Sequence, residues 1–425
     1  MRNMFRSLSV YNYRVWASGA IVSNVGTWMQ RVAQDWIVLT QLTHNDATAV
    51  GITTAFQFAP QLIFLPFTGY AADHLNRRKL LIVTQSTMGL LALGIGILTV
   101  TGLIQLWEVY AFAFLLGSAA AFDSPARQTF VGELVDGEQL TNAVGLNSTS
   151  FNMARMIGPA VAGVLITAVG SGWVFIINAA SFGAVLISFR FLKVNELHPS
   201  LRASHASGGF VEGFRYVWRR PDLKVIMIMM FLIGTFGLNF PIYISTMAVS
   251  VFHKGAGEFG LLTSIMAVGT VAGALLAARR QHPRLALLLV SSAVFAIGCL
   301  LASISPSYTL FGLSLIIIGI SAQTLTTSST TILQLSTDPI MRGRVIAIFL
   351  AVALGGTPIG APIVGWVANT YGPRWGLVVG AASGVVAAFV GLYYLIRYRN
   401  LRLIRIDGHL SFTIDAVEPV IAESI

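Results

Sequence analysis

A chain of 425 residues that is 55% hydrophobic and only 10% charged, with a mean hydropathy of +0.74, falls far below the roughly 25% charged residues of a soluble domain. An ordinary soluble enzyme is excluded. The net charge of +10 does not mark a nucleic-acid binder either, because such a protein clusters its cations on a solvated domain, and none interrupts the apolar runs.

Apolar stretches near 20 residues long, enough for a helix to cross a hydrocarbon core of about 30 Å, recur along the chain. They predict an all-α membrane protein with twelve transmembrane helices, at 15–41, 47–72, 80–104, 107–126, 143–168, 173–192, 224–249, 258–278, 284–304, 308–334, 344–369 and 374–396. Arg2, Arg6 and Arg14 precede the first stretch, which is too long and too polar for a cleavable signal peptide and is expected to stay as helix 1. Within it Arg31 and Asp35 stand one helical turn apart, and Gln30 and Gln34 extend the same polar stripe. A charge at mid-membrane costs roughly 2.5–3.5 kcal/mol on insertion scales, so such residues are seldom idle. Two readings stand side by side. In one the stripe faces a central cavity, where Asp35 exchanges a proton and Arg31 controls it or meets an anionic substrate; in the other a neutralised ion pair seals the outer end.

Helix 2 ends in Gly69-Tyr-Ala-Ala-Asp73-His-Leu-Asn-Arg77-Arg78-Lys79, where Gly69 permits close helix approach and Asp73 is an acid that topology does not require. Arg78 and Lys79 read equally well as topological anchors. Helix 5 holds Asn152 and Arg155, then Gly158-Pro159-Ala-Val-Ala162-Gly163, a small-residue face kinked by its proline. The longest polar segment follows helix 6, punctuated by Ser200, Ser204, Ser207, Gly208 and Gly209. In it Phe210, Phe214 and Val217 or Trp218 oppose Glu212, Arg215 and Arg219, the pattern of a short interfacial helix. Asn239-Phe240-Pro241 predicts a break in helix 7 beside the cavity, Cys299 is a packing residue with no second cysteine to pair with, and helix 10 offers Gln323, Thr324 and Thr327. Helix 11 repeats the chemistry of helix 5 with Gly355, Gly356, Pro358, Gly360, Pro362 and Gly365. Trp28, Trp36, Phe56, Phe58 and Phe236 offer aromatic surface to an amphipathic substrate, or face lipid as most membrane aromatics do. The tail after Arg405 is weakly acidic and is expected to be loosely ordered.

With Met1 placed in the cytoplasm and the spans threaded alternately, the external connections hold just two basic residues, Lys254 and Arg374. Two more lie within spans, and the remaining 23 of the 27 fall at cytoplasmic ends or loops. Both termini are therefore expected in the cytoplasm. A shift of about 202 residues superimposes Ile157-Gly158, Gly163, Gly170, Trp173 and Ala179-Ala180-Ser181 on Ile359-Gly360, Gly365, Gly372, Trp375 and Ala381-Ala382-Ser383. Six helices separate the copies, so they share one orientation, as in a parallel repeat of two six-helix bundles about an axis along the membrane normal. The expected bundles are 1–192 and 224–397, joined by a linker at 193–223 and followed by a cytoplasmic tail at 398–425. A site between the bundles follows.

These motifs resemble the major facilitator superfamily. Residues 69–79 are similar to its loop 2–3 signature, with His74 where the pattern is basic and Asn76 where it has glycine. The resemblance implies an inner latch, in which Asp73 meets the start of helix 11 near Gly343-Arg344 and Arg77 joins an acid at the inner end of helix 4, the position of Asp123. Gly145, Ala154 and the run Gly158 to Gly163 resemble the antiporter signature, with alanines for two of its glycines. That implies export by exchange, although generic helix packing explains the glycines equally well. Phe122-Asp-Ser-Pro-Ala-Arg127-Gln-Thr, Leu140-Thr-Asn-Ala143 and Arg342-Gly-Arg344-Val resemble the transmembrane secretion effector branch, which contains enterobactin exporters and drug-efflux carriers. The arginine that the family carries in mid-helix 4 would fall near Ala113 and is missing.

The resemblance implies a major-facilitator-type secondary active transporter: a proton-coupled exporter of small amphipathic molecules of the drug or siderophore class, working by alternating access in a bacterial inner membrane. An uptake permease for a small organic solute shares every feature except the helix 5 signature. A proton gradient takes the place of a cofactor, and the partners expected are a small-molecule substrate and the lipid bilayer, with no nucleic acid and a monomeric chain. No enzyme is expected, since the seven histidines show no metal-ligand spacing and no G-x-x-x-x-G-K-[ST] sequence occurs. The residues singled out are Gln30, Arg31, Gln34, Asp35, Asn152, Arg155, Asn239 and Gln323 for the cavity; Gly69, Asp73, Arg77, Arg78 and Asp123 for the latch; and Gly158, Pro159, Gly163, Gly360, Pro362 and Gly365 for hinge and packing.

Overall fold

A computed structural model describes residues 5–198, 210–280, 283–399, 402–406 and 409–413. In chain order the helices are α1 (Tyr11–Ile37), α2 (Ala47–Ile63), α3 (Leu65–His74), α4 (Arg77–Val100), α5 (Leu106–Phe130), α6 (Gly137–Val169), α7 (Ser171–Phe191), α8 (Phe210–Arg219), α9 (Pro221–Leu232), α10 (Phe240–Thr246), α11 (Ala256–Ala278), α12 (Leu285–Ile304), α13 (Tyr308–Ser336), α14 (Pro339–Gly355), α15 (Thr357–Tyr371) and α16 (Pro373–Arg399). Among the described residues, ten helical segments are long and apolar enough to cross a membrane. Two of the twelve expected spans fall outside that set for physical reasons. The 27 residues of α1 reach about 40 Å, but its polar stripe dilutes its hydropathy. The second span is broken at Phe64, with Pro60 inside α2 and Pro66 in the first turn of α3 removing backbone donors on either side.

The seventh span is broken too, as Asn239-Phe240-Pro241 predicts. A π-helical turn at Ile233–Gly237 ends α9, and α10 restarts with its proline in the first turn. The eleventh span is broken as well, where α14 gives way to α15 through Gly356 and Pro358, whereas α6, which the shift of about 202 residues pairs with it, runs unbroken. Gly170 ends α6 at φ +90° and Gly372 ends α15 at φ +104°, the left-handed region that glycine enters without strain.

Helices of the first half pack on one another, α1 on α6 and α7 and α4 on α5 and α7, while α12 packs on α13 and α16 and α11 on α13 in the second. The halves meet chiefly where α2 lies on α15 and α6 on α11. The short α8 forms where an interfacial helix is expected, with Val217 buried and Phe214 and Trp218 exposed and stacked at 5.6 Å. The serine and glycine run before it lies outside the described residues. The tail differs from expectation: β1 (Arg402–Ile406) pairs antiparallel with β2 (His409–Thr413). Polar and apolar residues alternate along β2, His409-Leu410-Ser411-Phe412-Thr413.

Candidate functional site

Between the halves lies a cavity of about 290 Å³. The first half contributes Trp28, Arg31, Val32 and Asp35 from α1, Thr54, Gln57 and Phe58 from α2, and Arg155 from α6. The second half contributes apolar and hydroxyl side chains, among them Phe240, Pro241 and Ile244 from α10, Phe259, Thr263, Met266 and Thr270 from α11, Gln323 and Thr326 from α13, and Leu354 and Thr357 at the α14–α15 joint.

Small residues close this cavity at one end. A Cβ on Gly365 would stand 3.0 Å from Thr48 Cα, and one on Gly51 would stand 3.1 Å from Pro362 Cα, so α2 and α15 touch almost backbone to backbone. The companion pair repeats this. A Cβ on Gly163 would meet Ala256 O at 2.7 Å, and one on Gly260 would meet the backbone of Pro159 and Gly163. Gly158 and Gly360 serve a different contact. Their missing side chains leave room for Trp28 of α1, at 2.6 Å from the Cβ position on Gly158, and for Thr235 ahead of α10, so they tighten each half internally. All these contacts lie away from the loops that carry Arg77, Arg78, Lys79, Arg342 and Arg344. At that basic end no helix pair from the two halves, among the described residues, is in comparable contact.

The charges on the first wall are not paired as their spacing predicts. The Arg31 guanidinium sits 4.8 Å from the Trp28 ring centroid and 5.6 Å from that of Phe58, while Arg155 sits 5.4 Å from the same Trp28 ring. These are cation–π contacts, worth about 0.5–2 kcal/mol each according to how dry the site is. Among the described residues Arg31, Asp35 and Arg155 form no ion pair and no side-chain hydrogen bond. The seal of a neutralised Arg31–Asp35 pair is therefore not what this conformation holds. The aromatic rings hold the guanidiniums, and Asp35, only 6% exposed, lines the cavity without an ion pair among the described residues. The two guanidiniums are at most about 10 Å apart by these distances, a separation at which like unit charges repel by about 1.7 kcal/mol at an effective dielectric of about 20.

Gln30 and Gln34 face a second, smaller cavity of about 60 Å³ inside the first half, together with Gln57, Gln61 and Asn178. Asn178 donates to Gln30 Oε1, and Gln34 Nε2 is buried without a partner. Arg31 and Gln57 line both cavities and so connect them. Gln323 lines the main cavity and donates to Thr327 Oγ1 at 3.0 Å. Two expected cavity residues are elsewhere. Asn152 donates to Ser148 O, a turn back on its own helix, at 2.8 Å, and Asn239, fully buried, donates to Thr235 O at 2.8 Å.

At the basic end Asp123 is buried and accepts hydrogen bonds from Arg127 Nη2 at 2.7 Å, Thr84 Oγ1 at 2.8 Å and Gln85 Nε2 at 2.7 Å. Arg127 also donates to Asn24 Oδ1 at 2.8 Å, so one network ties α5 to α4 and α1. Arg77 pairs with Glu133 at 2.6 Å, and Arg78 donates to Phe189 O at 2.9 Å. The surroundings of the Gly69 and Asp73 side-chain positions lie outside the described residues, although both positions are helical in α3. The second half has its own ties: Arg344 to Glu212 at 2.9 Å, Tyr216 Oη to Asp338 at 3.0 Å, and Arg220 to Asp222 at 2.6 Å. The hydrogen bond to Asp222 holds the Arg220 guanidinium above its ordinary pKa, and partial burial raises the Tyr216 phenol.

The sequence reading passed over Thr54, Gln57, Thr263, Met266, Thr270, Thr326 and Thr357. Gln57 had a signal, since it and Gln61 stand one turn apart in an apolar run. The threonines and Met266 had none, since such residues are equally common where membrane helices simply pack.

Comparison with known proteins gives one family over nearly the whole chain: the model described as transmembrane secretion effector matches residues 4–412. The chain is 24% identical over 391 residues to the Staphyloferrin A transporter of Staphylococcus aureus, covering 91% of this chain and 96% of that protein. It is 24% identical over 366 residues to the multidrug efflux pump Tap of Mycolicibacterium fortuitum, covering 83% and 88%. In fold it is similar to a bacterial homolog of the human lysosomal transporter Spinster, solved in an inward-facing and unoccupied conformation, with a TM-score of 0.72 at 16% identity, covering 90% of this chain and 96% of the other.

Proposed function

The chain belongs to the transmembrane secretion effector family, and from that premise we propose that it is a secondary active transporter that exports small amphipathic molecules, of the drug or siderophore class, in exchange for protons. The observation that carries the reading is the cavity itself. It lies between the halves, is closed at one end by glycine contacts, and holds, among the described residues, one acid, Asp35, which forms no ion pair and no side-chain hydrogen bond in this conformation. A carboxylate in such a place can take a proton from one side and release it to the other as the cavity changes its opening. The relatives, a Staphyloferrin A transporter and a multidrug efflux pump, support the substrate class, and the efflux pump supports the direction.

In this reading twelve spans form two six-helix bundles, 1–192 and 224–397, linked through 193–223, with 398–425 as tail. Helix 1 and the broken α2–α3 supply the two spans beyond the ten apolar segments. The basic end is cytoplasmic by the distribution of arginines and lysines, so both termini are inside and the cavity opens inward. The protein works as a monomer in a bacterial inner membrane. The uptake alternative is less supported by the relatives. Direction is measured in inside-out vesicles under an imposed proton gradient: substrate accumulating as lumenal protons leave is the expected result, and accumulation only with proton entry into the lumen would reverse the reading.

A further inference from the structure

We infer that the cavity recognises an organic anion, with Arg31 and Arg155 receiving its charged group and Trp28 and the apolar second wall receiving its body. This deepens the proposed export function and rests on it for the claim that the bound molecule is cargo. The argument starts from charge. Two guanidiniums from different helices converge on one indole ring, and among the described residues neither forms an ion pair with an acid. Among the described residues Asp35 is the one acid lining the cavity, so even when ionised it offsets only one of the two cations. Guanidinium groups present several donors each in a planar fork suited to carboxylate and similar oxyanions. Stacking on Trp28 satisfies their faces and leaves those N–H groups available at the edges, which is where an oxyanion binds. The rest of the lining, with Leu238, Phe240, Ile244 and Phe259, suits an apolar or aromatic body, and Asp35 is the one formal negative charge among its described residues.

Three probes with one naphthalene body test this on purified protein in lipid nanodiscs: 2-naphthoate, 2-naphthylmethanol and 2-naphthylmethylammonium, with affinities from calorimetry. The naphthoate is expected to bind about tenfold or more tightly than the alcohol, and the ammonium most weakly, as charge-assisted hydrogen bonds predict. Arg31→Gln and Arg155→Gln are each expected to weaken naphthoate by about tenfold while shifting the alcohol by less than about threefold, and Arg155→Lys is expected to retain more than Arg155→Gln. Equal affinity for all three probes, tightest binding of the ammonium, or no naphthoate binding to the unaltered protein overturns the proposal. The probe ranking needs no variant, so a misfolded mutant does not rescue the idea. Export is scored separately in the vesicles. An anion preference without uphill export leaves the site and removes the exporter, and uphill export of cationic drugs without an anion preference does the reverse.

Discussion

The two walls of the cavity are unlike. The first half presents Arg31, Asp35 and Arg155 around Trp28, whereas the described residues of the second wall include no charged side chain and rely on Thr263, Thr270, Thr326, Gln323, Met266 and aromatic rings. The two sides of the cavity thus differ in what they present: one carries the charge and the other supplies shape. The division has a physical advantage. When one half rocks against the other, charges held on a single wall keep their distances, and no ion pair across the interface has to be broken at the energy such a pair commands in a low-dielectric site. The glycine contacts follow the opposite rule and are repeated on both sides, because each half has to close on the other by the same close helix approach.

The largest effect that tests this contrast is expected at Asp35. Asp35→Asn keeps the shape of the first wall and removes its one exchangeable proton, so proton-driven accumulation should fall to background while counterflow exchange of substrate across vesicles persists. A variant that still builds a substrate gradient from a proton gradient alone would move coupling off this wall and break the comparison.

Next come the glycines, where the structure separates two roles that the sequence merged. Gly365→Leu inserts a side chain against Thr48 and Ala47 across the halves, and Gly163→Leu does the same against Ala256 and Gly257. Both should halt transport by wedging open the closed end, seen as increased labelling there of cysteines placed on α2 and α11. Gly158→Leu and Gly360→Leu press instead on Trp28 and Thr235 within one half. They should lower thermal stability by about 3 kcal/mol or more, as overpacking at backbone contact does. Equal accessibility changes in all four variants would erase the distinction.

At the basic end the same asymmetry gives a smaller contrast. Asp123 is 4% exposed and joins three helices through Arg127, Thr84 and Gln85, so Asp123→Asn, which strands Arg127, should destabilise by about 3 kcal/mol. Glu212 is more than half exposed in its pair with Arg344, so Glu212→Gln should cost under about 1 kcal/mol. Melting curves in one detergent compare the two, and matching losses would show that the second-half tie matters as much as the first.

How much of this was legible follows from how each residue departs from an apolar background. Arg31, Asp35 and Arg155 announce themselves in runs that otherwise contain little charge, and the paired Gly170 and Gly372 announce the repeat. The fate of the charges was not legible. Spacing offered Arg31 two neighbours on its own helix, Asp35 four residues on and Trp28 three residues back, and the choice between them goes with Phe58, whose approach from α2 is fixed by tertiary packing. Arg77 likewise meets Glu133, which the short helical turn after α5 brings into reach, while Asp123 takes Arg127 from its own helix. The second wall was nearly silent because its polar groups are hydroxyls.

Those hydroxyls give the smallest effect. In the second half Thr263 donates to Phe259 O at 3.0 Å, Thr270 to Ala267 O at 2.8 Å and Thr326 to Ala322 O at 2.9 Å. Each hydroxyl proton is already committed to its own helix, so a substrate meets the methyl group and an oxygen that can only accept. Replacing any of them by valine keeps the volume and frees a backbone carbonyl that still has its helical N–H. Side-chain hydrogen bonds inside membranes average about 0.6 kcal/mol, a factor under about threefold in affinity. Thr263→Val, Thr270→Val and Thr326→Val should therefore shift the apparent substrate affinity by less than about threefold each, against complete loss of coupling in Asp35→Asn. A tenfold loss in any one of the three would mean that the second wall reads polar groups of the substrate directly, and the division of labour between charge and shape would no longer describe this cavity.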